Sequence, residues 1–269
     1  MKKLTFDYYM QIDYSEVVSS CHFTIKCLPK ETLRQRVGKV TIKLSPDVSY
    51  NAGTDSFGNG QIYGWDDVDH TTFSFRITGD VCAGLDRREE KIDEDMLAVF
   101  RHPHGLNRAE EALSAYYEKL AGSLPADAYE KALFLSHSLH EDFVYEKGCT
   151  DVGTTAEEAW KLGHGVCQDY AHILIALLHM EKIPARYVTG MIPGEGASHA
   201  WVEIAKDGFW YGIDPTNDIP VGDNYIKIGE GRDAADCLIN RGIMHGGGNQ
   251  EQIVRVSVVE VSDGITDVG

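Results

Sequence analysis

The sequence predicts an α+β fold: an all-β N-terminal domain, then a core in which a helix packs on an antiparallel sheet. Three observations carry this. Strand-like segments fill the chain as far as Ile77. Near Glu89 the character turns acidic and helical. Further on, the apolar run AHILIALLHM is followed by more strand-like segments.

The elements follow in order. Residues 5–14 and 17–27 are rich in Tyr, Phe, Val, Ile and Thr, and 40–44 (VTIKL) alternates apolar with polar. Residues 60–65 and 70–77 repeat the pattern, with Asn, Asp, Gly and Pro between them, as in an antiparallel meander or sandwich. A helix is expected over 89–100, broken by RHPHGLN. Leu113, Tyr116, Tyr117 and Leu120 fall at helical spacing over 108–120. Ala132, Leu133, Leu135, Leu139 and Phe143 do the same over 127–143. Thr155 and Glu158 form a capping box that opens a short helix, ended by Gly163-His-Gly165. The most apolar helix opens near Cys167 and stops before Pro184. Strands return at 185–188, 199–204, 209–213, 225–228 and 253–261, the last free to pair within the chain or between chains. The expected organisation is a β domain over 1–90, a helical connection over 91–125, a core over 126–262 and a loose tail over 263–269.

Composition excludes several classes. A chain of 269 residues buries a core without staples. A hydrophobic share of 43% excludes disorder. The net charge of −17 excludes a general binder of nucleic acid or anionic membrane, since a phosphate surface needs a basic footprint. No run of about 18 apolar residues is present to span a bilayer, and MKKLTFDYYMQIDY lacks the apolar stretch of a signal peptide. Six well-separated cysteines without CxxC indicate neither a disulfide scaffold nor a zinc ribbon. The expected compartment is the reducing cytoplasm.

Chemistry gathers at three residues. Cys167, in GHGVCQDYAH, stands where glycines give way to the apolar helix. Helix N-terminal N–H groups favour a thiolate there and can hold an oxyanion. His199, in SHAWVEI, begins a strand, and Asp214, in WYGIDPTN, ends the next one. A hairpin can set the carboxylate beside the imidazole, which then deprotonates the thiol. Taken singly, each has a structural explanation: a buried cysteine, a satisfied strand histidine, a turn aspartate. Their joint order decides for the triad, and a Cys, His, Asp series on a helix and then a sheet is papain-like.

GVCQDYAH, SHAWVE and GIDPTN, in that order, resemble the core of the bacterial transglutaminase-like superfamily. TDSFGN near residue 56 resembles the N-terminal domain that accompanies such cores. YIKIGEGRDAADC and RGIMHGG resemble the segment that follows the DPTN element. The resemblance implies a Cys167, His199, Asp214 triad, a papain-like core without metal or cofactor, and acyl transfer or amide hydrolysis. Crosslinking members of the family carry Gln before the nucleophile and Trp after it; here Val166 and Gln168 stand there. The resemblance is thus to the cysteine proteases and amidases. The expected substrate is a peptide, a protein or a small amide. Two alternatives stand beside this reading: transfer from glutamine to an amine, and a catalytically silent peptide-binding module. Tyr145 and Gln168 are candidates for a second oxyanion or substrate contact. Asp169 and Tyr170 are expected to cap or pack.

Other features carry less. His137 and His140 sit at helical spacing without HExxH, and His102 and His104 lack partner ligands. In residues 55–60 Phe57 stands where a calcium loop needs an oxygen. Gly246-Gly-Gly248 lacks a P-loop lysine and reads as a turn. Arg232 and Asp233 are expected to pair. If the acidic excess lines the cleft, basic or neutral amides should be preferred as substrates.

Overall fold

The longest alternating run of the sequence becomes the longest strand. The first two strand-like segments form one strand, Lys2–Ile25, because Ser15-Glu16 does not turn the chain; its ladder shifts register between Asp13 and Val18 instead. Leu4, Phe6, Tyr8, Met10, Ile12 and Tyr14 alternate inward and are buried. The computed structural model describes residues 1–261, so the tail expected over 263–269 lies outside the described residues.

Lys2–Ile25 organises an eight-stranded sheet. Along its first half the order is Arg36–Ser45, His70–Ala83, Lys2–Ile25, Gln250–Glu260 and Gly194–Gly196. Along its second half it pairs with Asn240–Gly246 and Gly60–Asp66, and Tyr50–Thr54 adds to the latter. The last strand therefore pairs within the chain, from Leu4↔Glu260 to Tyr14↔Gln250. This departs from the expected division at residue 90, because the end of the 126–262 span sits in the N-terminal sheet. Val254, Val256 and Val258 face inward at period two, and the neighbouring ladder of Lys2–Ile25 satisfies their backbone. Asn240–Gly246, a strand not expected from the sequence, precedes Gln250–Glu260 in the same direction, pairing antiparallel with Val18–Ile25 of the same long strand. Instead of the expected turn, Gly246, Gly247 and Gly248 at positive φ form a bulge between the two segments, opposite Ser15–Val17, as a run of glycines can.

The second sheet is antiparallel, in the order Ile219–Pro220, Phe209–Asp214, His199–Lys206, Ala185–Met191, Ile226–Gly231. The central helix, Cys167–Met180, packs on it and is buried from Asp169 to His179. Helices Glu111–Ala121, Ala128–Asp142 and Ala156–Leu162 pack around it. The capping box of the last forms as expected, with Thr155 and Glu158 satisfying each other's amides. The helix expected over 89–100 shrinks to Glu94–Leu97 and a 3-10 turn, Ala98–Phe100. Residues 89–92 run extended instead: the Glu89 amide donates to Trp210 O at 2.9 Å and the Ile92 amide to Gly208 O at 2.9 Å.

The TDSFGN turn ties the two sheets together. Asp55 Oδ1 accepts from the amides of Phe57 and Asn59. Asn59 is buried; its Nδ2 donates to Glu230 O at 2.7 Å and its Oδ1 accepts from the Glu230 amide at 2.8 Å. Asn59→Ala would leave both backbone groups of Glu230 unpaired and buried. It is expected to lower unfolding free energy by about 2–4 kcal/mol, read from urea melts; a loss under about 0.5 kcal/mol would contradict this role.

Arg232 and Asp233 do not pair with each other. Neighbours at a strand end point apart, so Arg232 Nε turns back to Asp236 at 2.8 Å while Asp233 accepts from His104 Nδ1 at 2.9 Å. His137 faces Asp218 at 2.7 Å.

Candidate active site

The central helix begins abruptly, and local sequence explains how. Gly163 ends the preceding helix in the left-handed region, φ 79. His164–Gly165 then pairs in parallel with Val144–Tyr145. The Asp169 carboxylate reaches back to accept from the Val166 amide at 2.7 Å and from Thr150 Oγ1 at 2.7 Å. Gly165 permits this, since a Cβ there would lie 2.5 Å from Asp169 Oδ2. Asp169 thus caps, and Tyr170 donates to Phe143 O at 2.6 Å. Cys167 is left as the first helical residue, half-buried.

His199 begins its strand opposite the start of that helix. Its Nε2 donates to Asp214 Oδ2 at 2.7 Å, and both residues are buried. The Cys167 thiol is close enough to this imidazole to act on its protonation. With Nε2 engaged, Nδ1 is the nitrogen left to exchange a proton with the thiol. Asp214 is fully occupied. Its Oδ2 also accepts from Tyr225 OH at 2.6 Å and Asn217 Nδ2 at 2.7 Å, and its Oδ1 accepts from the amides of Thr216 and Asn217. Burial opposes the carboxylate's charge, but His199, Tyr225 and Asn217 outweigh it and hold the carboxyl below its ordinary range. Burial likewise opposes an imidazolium, yet Asp214 and then Cys167 push His199 up to about 10.

The sign of the pH effect follows. A raised folded-state pKa means that this group's stabilisation is complete below about 6.5 and is lost as pH climbs through about 10. His199→Gln is expected to flatten the stability curve over that window, measured by urea melts. Parallel curves for variant and wild type would contradict the coupling.

Tyr225 and Asn217 escaped the sequence reading. Asn217 lay inside the DPTN block, where the Asx-turn signal was available. Tyr225 comes from beyond it, and only the fold brings it in. Tyr145 lies near the nucleophile: burial and the proximity of Cys167 push its phenol up. Gln168 Nε2 instead donates to Asp151 O at 3.3 Å.

A cleft of about 460 Å³ opens between the core and the eight-stranded sheet; Gln168 and Ser198, the chain neighbours of Cys167 and His199, line it, while Cys167, His199 and Asp214 themselves do not. Gln168, Ser198 and Tyr187 line the core side; Met10, Ile12, Phe73 and Val254 line the sheet side. No Asp or Glu lines it among the described residues, so the acidic excess of the chain lies elsewhere. The buried Tyr8 hydroxyl crosses from the sheet to Ser198, the residue before His199.

Comparisons with known proteins identify the family and the fold. Residues 115–215 match the transglutaminase-like superfamily and residues 4–82 match the bacterial transglutaminase-like N-terminal region. An uncharacterized protein of Mycobacterium tuberculosis is 30% identical over 91% of this chain and 88% of its own length. The chain belongs to the transglutaminase-like superfamily. Another relative, from Mycobacterium leprae, is 36% identical over 44% of this chain, and the match spans only 46% of that protein. The transglutaminase-like fold is shared with a crystal structure from Cytophaga hutchinsonii, described as a candidate cysteine protease. It has TM-score 0.78 and 22% identity, and the match covers 97% of this chain and 91% of that one. The N-terminal matched region contributes Met10, Ile12 and Phe73 to the sheet side of the cleft, Val254 comes from the last strand, and Cys167, His199 and Asp214 fall within the transglutaminase-like match.

Proposed function

We propose that this chain is a cysteine-dependent hydrolase of peptide or other amide bonds, acting through a thioacyl-enzyme. The observation that carries the reading is the buried His199–Asp214 pair at 2.7 Å, whose imidazole is also influenced by Cys167, the first residue of the central helix. In this reading Cys167 Sγ attacks the carbonyl carbon as a thiolate whose proton already rests on His199. The oxyanion faces the free N–H groups of the first helical turn, with Tyr145 OH as the second donor. The intermediate collapses, the C–N bond breaks, and the departing amine takes the proton from His199. Water then gives a proton to His199 and attacks the thioester, releasing the acid and leaving the thiolate beside the protonated imidazole. Asp214 holds the ring and its charge throughout. Six free thiols support a reducing, cytoplasmic setting.

Incubation with a glutamine peptide and a labelled primary amine separates the outcomes. Amide hydrolysis without label in the peptide is expected. Incorporation of label would make the protein a transglutaminase instead.

A further inference from the structure

We propose that the N-terminal sheet supplies the substrate side-chain pocket of this site. The pocket takes a large, uncharged apolar side chain next to the scissile amide of a peptide. This rests on the hydrolase reading and names its substrate class.

Position comes first. Gln168 and Ser198, which line the cleft, are the chain neighbours of Cys167 and His199, which puts the cleft one residue away from the reacting side chains. Its opposite wall belongs to the other sheet. Along the last strand, Val258 and Val256 are buried, Val254 is half-buried, and Gln252 and Gln250, on the same face, are exposed. The strand therefore overhangs the core, its inner face passing from buried valines to exposed glutamines. A packed core has no need of that overhang, whereas a substrate side chain gains a wall from it.

Chemistry selects the occupant. Met10, Ile12 and Phe73 form a nearly buried apolar floor to the cleft, and methionine adapts to ligands of different shape. The volume of about 460 Å³ exceeds one large side chain and leaves space for peptide backbone. The polar groups at its border include the carboxamides of Gln168 and Gln252 and the Ser198 hydroxyl, which suit peptide N–H and C=O groups. With no carboxylate in the lining, a lysine side chain would give up hydration without gaining a counter-charge. Exposed Arg241 at the rim adds to that penalty.

Two peptide series, varied as Phe, Leu, Ala or Lys on the acyl side or the amine side of the scissile bond, test the proposal. In one series kcat/KM is expected to be about tenfold or more higher for Phe and Leu than for Ala, with Lys below Ala. Gln252→Trp narrows the cleft and should cost Phe and Leu more than Ala. Glu251→Trp, on the outward face of the same strand, should keep the wild-type order. Turnover indifferent to the side chain in both series, or an unchanged order in Gln252→Trp, overturns the pocket and leaves the hydrolase reading intact. No peptide turnover and no acyl-enzyme on Cys167 overturns the hydrolase reading, and the pocket falls with it.

Discussion

Cys167→Ala is expected to lose turnover by about four to six orders of magnitude and to keep its fold. The nucleophile forms a bond that no neighbouring group can form, so its removal leaves only binding and oxyanion stabilisation. Alanine suits the first helical turn. The cap that starts the helix comes from Asp169 and Thr150, not from the thiol. His199→Ala should lose a comparable amount, and the double variant should lose little more than either, because the two act as a unit. The measurement is kcat/KM on the best peptide of the panel, with melting curves for each variant. Activity within about tenfold of wild type in Cys167→Ala would remove it from the chemistry.

Arg186→Met is expected to cost about 3–5 kcal/mol of stability. Arg186 is buried behind the second sheet, with Nε 2.7 Å from Glu203, Nη1 3.1 Å from Glu230 and Nη2 2.6 Å from Glu90. Its guanidinium also lies 4.3 Å over the Trp210 ring. Lys227 Nζ closes the network on Glu203 at 2.9 Å and Glu230 at 2.7 Å, and Lys30 joins Glu230. Removing one cation leaves buried carboxylates short of a partner, which is the costly way to break such a network. Replacing Glu203 as well, in Arg186→Met/Glu203→Leu, should recover part of the loss. Urea melts of the two variants measure it. Additive losses would mean that the two side chains do not share a network.

The same network marks where the sequence reading ran out. Alternation identified most strands of both sheets, and the helix start at Cys167 was legible because Gly163 and Gly165 interrupt two helical patterns. The order Cys167, His199, Asp214 was legible because adjacent antiparallel strands place residues at their ends side by side. Arg186, Glu203, Lys227 and Glu230 were not, since each looks like a solvent-facing residue of its own strand. Only sheet order shows that they face one another. The return of Gln250–Glu260 to Lys2–Ile25 was hidden for a related reason: period two shows that a strand has a buried face and says nothing of which strand pairs with it. Extended residues 89–92 looked helical because acidic residues suit a first helical turn, and pairing with residues 208–210 overrode that preference.

Cys149 offers an internal reference for the central claim, since it is a half-buried thiol whose Sγ donates to Glu146 O at 3.1 Å, with no imidazole recorded beside it. The direct measurement is the rate at which iodoacetamide alkylates Cys167 and Cys149 at about pH 6, read by mass spectrometry in wild type and in His199→Ala. The account predicts that Cys167 reacts about tenfold or more faster than Cys149 in the wild type and loses that advantage without His199. Equal rates for the two thiols in the wild type, or a Cys167 rate that does not depend on His199, would contradict it.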